Sequence, residues 1–135
     1  MVVREVLNKN MTIEKVAEVL EGNLLFKEDG DDREVGFVVA SDLMSDVLLV
    51  DKNDILLLTS LASDQSLRTA QIIGAMGVVV HNGKPLPASM KDVAKRLGIS
   101  LMSSPLAKYE SCIRIHNALR SEKESRVEFD KGKDS

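Results

Sequence analysis

Four short apolar runs, each followed by a polar or amphipathic stretch, constrain the fold of this 135-residue chain more than any other feature. The runs are residues 36–40, 55–59, 78–80 and 99–102. Because a strand that is apolar on both faces belongs inside a sheet covered by helices, these runs predict central strands. Their alternation with helical segments favours a mostly parallel sheet with right-handed crossovers. We therefore expect a single α/β domain, a mostly parallel sheet with flanking helices.

The helical segments are indicated by their caps and by the spacing of their apolar residues. Thr12 is the expected N-cap of a first helix whose apolar residues recur at one-face spacing, and Gly22 is its expected stop. The other predicted helices run from Ser41 to Leu49, over 65–75 with Asp64 as cap, over 87–97 with Gly98 as stop, and after a Ser104 cap with Pro105 in the first position. The last helix is expected to carry Tyr109, Cys112, Ile113, His116 and Leu119 along one side.

The two ends of the chain differ in composition from the part between them. Residues 1–11 form an N-terminal segment that is either a strand or a helical turn, and residues 23–27 read as a short strand. The α/β domain is expected to span 12–120. Residues 121–135 are rich in Lys, Glu, Asp and Ser, with Val127 and Phe129 as their apolar residues, and are expected to lie outside the core.

Composition and charge exclude several classes of protein. A net charge of −3 and the absence of any run of Lys and Arg argue against a nucleic-acid partner. The single cysteine, Cys112, allows no intrachain disulfide, and with two distant histidines it makes no zinc site. No apolar run approaches the roughly 20 residues that cross a bilayer, and the charged N-terminus is unlike a signal peptide. The expected location is the cytoplasm, away from membranes.

Small polar residues follow each predicted central strand. Ligands of open parallel sheets bind beyond the carboxyl ends of the strands, and helix N-termini there favour anions. The candidate ligand-binding residues are Ser41, Asp42, Thr59, Ser60, His81, Asn82, Gly83 and Ser104. The simpler interpretation is that these residues only cap helices and form turns, as Asn-Gly commonly does. A lone histidine such as His81 is likewise more often structural than a base or a ligand contact.

Two acidic groups have alternative interpretations. The cluster Asp29, Asp31, Asp32 and Glu34 does not match a calcium-binding loop and reads as a solvated turn. Asp42 and Asp46 lie four residues apart and would share one face of a helix, but no partner for acid–base chemistry stands nearby, so capping is favoured. We expect no metal site.

The motifs of common enzymes are absent from the sequence. It contains no G-x-x-x-x-G-K-[ST] phosphate loop, no G-x-G-x-x-G and no G-x-S-x-G elbow. We therefore expect no catalytic residues and no cofactor.

Several segments resemble the DRTGG-domain family. They are residues 30–35, 39–47, 54–59, the helix ending near Gly74, the strand and turn 78–83, and the elements that finish near Leu119, together about residues 12–119. The signature itself departs from the family: only Gly83 fits the Thr-Gly-Gly end, and residues 60–63 stand where Asp-Arg is expected.

The resemblance implies a fold similar to the N-terminal domain of HPr kinase/phosphorylase. The family's domain also occurs beside CBS domains in some pyrophosphatases and within some phosphotransacetylases, where it is an accessory part. This chain would be a stand-alone, divergent member. The implied function is a non-catalytic regulatory or protein-binding module.

Two other functions remain open at this point. One is a small-ligand sensor that binds a nucleotide or other anion at the carboxyl edge of the sheet, and the other is a weak phosphotransferase or hydrolase. Apolar residues at both termini, among them Val3 and Phe129, suggest a homodimer. The competing explanation is that the N-terminal segment adds an edge strand to its own sheet. A protein partner is expected but not identified.

Overall fold

A computed structural model describes residues 1–6, 11–30 and 32–119 of the chain. The strands are β1 Val2–Glu5, β2 Asn23–Phe26, β3 Phe37–Ala40, β4 Ile55–Thr59, β5 Gly77–Val80 and β6 Ser100–Ser103. The helices are α1 Ile13–Val19, α2 Met44–Val47, α3 Asp64–Ile73, α4 Ala88–Leu97 and α5 Lys108–Leu119. The predicted tail, 121–135, and residues 7–10 of the N-terminal segment lie outside the described residues.

The described strands form one sheet in the order β1-β3-β4-β5-β6-β2. The four inner strands are parallel, and the two edge strands are antiparallel to their neighbours. All residues of β4 and β5 are buried, as expected for strands covered on both faces. The predicted α/β domain with a mostly parallel sheet is confirmed.

The open question about the N-terminus is answered by β1, which pairs with β3 as an edge strand. Edge strand β2 pairs with β6 at the other side of the sheet, and a bulge interrupts its register between Leu24 and Phe26.

Alternating side chains of the inner strands divide the core into two halves. On one face, Val39, Leu57 and Val78 pack under α2, α3 and α4. On the other face, Leu58 and Val79 pack under α1 and α5. Among the described residues, every helix falls short of the length and apolar character that a membrane crossing requires.

The ends of α1 confirm one predicted cap and correct the other. Thr12 caps α1 as expected, its side-chain oxygen accepting from the Lys15 amide at 3.2 Å. The left-handed residue after the helix is Glu21 (φ 52°), not Gly22. Gly22 is required for a different reason, because a Cβ there would stand 3.0 Å from Met102 Sδ and 3.3 Å from Ala17 Cα.

Three further predicted caps are wrong. Helix α2 is only four residues long and begins at Met44, so Ser41 and Asp42 precede it. Asp64 is the first residue of α3, and Ser63 is the N-cap. Ser104 lies four residues before α5 and bonds elsewhere.

The predicted apolar stripe of α5 is also wrong in part. Ser111, Ile115 and Leu119 form the buried face, whereas Tyr109 is 78% exposed and Ile113 is 38% exposed. The face of α5 that is buried against the core carries residues spaced at i, i+4 and i+8, beginning with Ser111.

Candidate functional site

The carboxyl ends of the four parallel strands meet at one edge of the sheet. The ladder continues one residue past each of three strand ends: the amides of Ser41, His81 and Ser104 donate to the carbonyls of Leu58, Thr59 and Val80 at 2.9 to 3.0 Å. The predicted candidates therefore lie along this edge, which we call the carboxyl edge.

Asp42 links the ends of β3 and β4. Its Oδ1 accepts from the Ser60 amide at 2.6 Å and from the Thr59 hydroxyl at 3.1 Å. Burial raises the pKa of Asp42, but the hydrogen bonds from Ser60 and Thr59 outweigh it, so the pKa lies below its ordinary value. Because Asp42 precedes α2, it does not share a helix face with Asp46, and the paired-carboxylate hypothesis is wrong.

The hydroxyl groups of this edge also have structural partners. Ser41 Oγ accepts from the Leu43 amide at 3.2 Å. Ser104 Oγ donates to the Leu20 carbonyl at 2.8 Å and accepts from the Leu106 amide at 3.2 Å, which ties the end of α1 to the approach of α5.

Asn82 and Gly83 form the turn that the sequence predicts. Both have positive φ, 72° and 63°. The Asn82 amide donates to the Leu106 carbonyl at 2.7 Å, and the Gly83 amide donates to the Ser104 carbonyl at 2.9 Å. The turn is therefore held against residues 104–106 by its backbone.

His81 is the exception among the candidates. The residue is 1% exposed, and within the described part of the chain neither ring nitrogen has a hydrogen-bond partner. Burial lowers the pKa of His81. The neighbouring Asn82 side chain, whose approach to the ring falls short of hydrogen-bond geometry, and the Asp42 carboxylate oppose this change, and the charges of Lys108 and Lys84 add to it. The imidazole is therefore neutral at neutral pH.

His81 is hydrogen-bonded to no hydroxyl or thiol among the described residues. No group of three or more His, Cys, Asp or Glu side chains could hold a metal ion in residues 1–6, 11–30 and 32–119. Asp29 lies in a turn with Gly30, Asp32 and Glu34 lie in the irregular segment that leads to β3, and Asp31 lies outside the described residues.

A pocket of about 460 Å³ lies at the opposite edge of the sheet, and sequence reasoning missed it. Its lining residues are Glu5, Val6, Arg33, Glu34, Val35, Gly36, Asn53 and Asp54. Asp54 has φ 53°, and its carbonyl accepts from the Gly36 amide at 2.9 Å, which joins the approaches to β3 and β4. The Asn53–Asp54 pair before β4 is the sequence feature that could have indicated an unusual backbone conformation at this pocket, because both residue types tolerate positive φ.

Comparisons with known proteins bear on the fold. No protein-family model matches the chain, and no curated protein matches it. A solved structure that is similar is the CBS and DRTGG domain part of the regulatory region of Clostridium perfringens pyrophosphatase, complexed with its activator diadenosine tetraphosphate. The two share 11% sequence identity with a TM-score of 0.63, over 78% of this chain and 46% of that one.

This likeness supports the part of the sequence resemblance that concerns fold. The chain has a fold similar to that of the CBS and DRTGG domain structure, although its signature residues depart from the family's. The further similarity to HPr kinase/phosphorylase stays a prediction.

Proposed function

We propose that this chain is a non-catalytic regulatory module that acts by binding. The observation that carries the proposal is that the polar side chains at the carboxyl edge make structural hydrogen bonds. Ser41, Asp42 and Ser104 are hydrogen-bonded to the backbone, and Asp42 also accepts from the Thr59 hydroxyl. The histidine at this edge is hydrogen-bonded to no nucleophile in the described residues.

The similar solved structure supports this function by analogy. That structure holds part of the regulatory region of a pyrophosphatase bound to an activator, and this chain spans 46% of its length. Fold likeness alone is an analogy, so the site itself has to be tested.

Turnover assays test the proposal. The purified protein is expected neither to hydrolyse ATP nor to phosphorylate a protein serine, because the sequence lacks the phosphate-loop motif that would hold the β- and γ-phosphates and position Mg²⁺. Wild type, Asp42→Ala and His81→Ala are assayed after identical purification. Turnover that is present in the wild type and lost in either variant contradicts the proposal.

A second candidate is a small-ligand sensor that recognises a nucleotide or other anion at the carboxyl edge. The unpaired His81 ring favours it, because a buried polar group without a partner is uncommon and needs an explanation. Thermal unfolding against a panel of nucleotides and anions is the test. A ligand at about 100 times its dissociation constant adds about 2.7 kcal/mol of stability. If no compound of the panel raises the unfolding temperature, protein–protein binding is the remaining candidate function.

The remaining expectations are proposals about partners and location. A second copy of this chain is one expected partner, and an unidentified protein is another. The proposed location is the cytoplasm. Isolation of the protein with its bound partners from native cytosol tests the proposed location and the proposed protein partner.

A further inference from the structure

The strongest unexplained feature of the molecule is the His81 ring. A neutral imidazole has one N–H donor and one acceptor nitrogen, and both are buried without a partner among the described residues. Leaving a buried polar atom unpaired destabilises the folded protein, so such a group calls for an explanation.

The direction of the ring follows from the alternation of β5. Val79 packs in the half of the core under α1 and α5, and His81 is two residues further along. The side chain therefore lies on the face that α5 covers. Lys108 is the first residue of α5, and the Gly83 amide donates to the Ser104 carbonyl at 2.9 Å, which places Lys84 beside the chain that leads into α5. The charges of both lysines lower the pKa of the ring.

The N-terminus of α5 lacks the acceptors that usually complete a helix end. The Ser111 amide donates to the Ala107 carbonyl at 2.9 Å, so Ala107 is the N-cap, and its side chain has no oxygen. The amides of Lys108, Tyr109 and Glu110 have no acceptor among the described residues. A twelve-residue helix carries a partial positive charge at this end.

The charges around this helix end favour an anion. Lys84 and Lys108 have no ion-pair partner in the described part of the chain. Two carboxylates oppose them, but Glu110 pairs with Arg114 at 2.9 Å and Asp42 accepts hydrogen bonds from Thr59 and Ser60. The two lysines and the helix end therefore outweigh the acidic groups.

We propose that the phosphate group of a small phosphorylated ligand binds at the N-terminus of α5, held by the first-turn amides, Lys84 and Lys108, with the His81 ring donating from below. This inference rests on the sensor function proposed above and names its site and ligand class. Both ring nitrogens are closed off from solvent, so the proposed binding requires the Asn82–Gly83 turn to shift when the ligand enters. An anion beside the ring also favours its protonated form, so binding takes up a proton.

Isothermal titration with inorganic phosphate and with ATP tests the site, at about pH 6 and about pH 8 on either side of the ordinary histidine pKa. The double variant Lys84→Gln/Lys108→Gln is expected to bind about tenfold more weakly, because two charge-assisted contacts are lost. Lys95→Gln, an exposed lysine in the last turn of α4, is the matched control and is expected to bind as the wild type does.

His81→Phe provides an independent readout. The affinity at about pH 6 divided by the affinity at about pH 8 is expected to be larger for the wild type than for this variant, because only the wild type has the ring that takes up a proton. The ionisation of the ligand itself affects both proteins equally. Thermal unfolding checks that each variant folds. If His81→Phe does not fold, the binding measurements on the double lysine variant decide whether the proposal holds.

Each outcome of the titration has a definite meaning. Equal affinities for phosphate and ATP indicate that the phosphate group alone is recognised, and tighter binding of ATP indicates a nucleotide; both support the site. No binding of either ligand overturns it, as does unchanged binding by the double lysine variant. The regulatory, non-catalytic function is judged separately by the turnover assays, so its failure is distinguishable.

Discussion

Asp42 shows how one carboxylate joins two strands at the residue scale. Replacing it by Ala removes the acceptor of the Ser60 amide and of the buried Thr59 hydroxyl. We expect Asp42→Ala to lower the free energy of unfolding by about 1–3 kcal/mol, measured by urea denaturation. Asp46→Ala is the matched control, expected to cost less than about 0.5 kcal/mol because no hydrogen bond or ion pair is lost among the described residues. Equal losses would show that the hydrogen bonds of Asp42 contribute nothing.

The buried neutral state of His81 makes stability depend on pH. Its pKa is lowered in the folded protein, so below the ordinary value of about 6.5 the unfolded chain binds more protons. Stability is therefore fully present above that value and falls as the pH drops toward the folded pKa. Denaturation between about pH 7.5 and about pH 5 is expected to show a smaller loss for His81→Leu than for the wild type. Parallel curves for the two proteins would mean that His81 is not neutral when folded.

At the scale of an element, α5 shows that a helix can be foreseen while its buried face is not. Ile115 is 2% exposed and packs on the sheet, whereas Ile113 is 38% exposed. Ile115→Ala is expected to cost about 2–5 kcal/mol, because it leaves a cavity in the core. Ile113→Ala is expected to cost less than about 1 kcal/mol, since little buried volume is removed. Thermal denaturation of the pair checks the face directly, and a larger loss for Ile113→Ala would restore the stripe that the sequence suggested.

On the scale of the whole molecule, the two edges of the sheet differ. Edge strand β2 is interrupted by a bulge, which is a common protection against edge pairing. Edge strand β1 has a regular register and an exposed Val3 (42%), so it is the edge where a second copy would add its own β1 around a two-fold axis.

Sedimentation equilibrium at micromolar concentration measures this association. We expect a dimer for the wild type and a monomer for Val3→Lys, because a charge on an edge strand opposes edge pairing. Ile72→Lys, at an exposed position on α3, is the control and is expected to stay dimeric. A single wild-type species at the monomer mass of 14.8 kDa would contradict the predicted dimer.

Local physics determined the fold class and most elements of this protein. An apolar run such as Ile55–Thr59 has to be buried on both faces, so its place in the sheet interior follows from composition alone. The Asn82–Gly83 turn was likewise predictable, because positive φ at two successive positions suits these residue types.

Contacts between elements decided the rest, because they depend on residues far apart in sequence. The partner of Asp42 is Ser60, and Ser104 is held by Leu20, so neither could be told from a helix cap by its neighbours along the chain. The buried face of α5 was set by the side that the sheet offers it. His81 was a candidate by position, but its burial without a partner arises only when β5 is covered by the approach to α5, and that is a property of the tertiary structure.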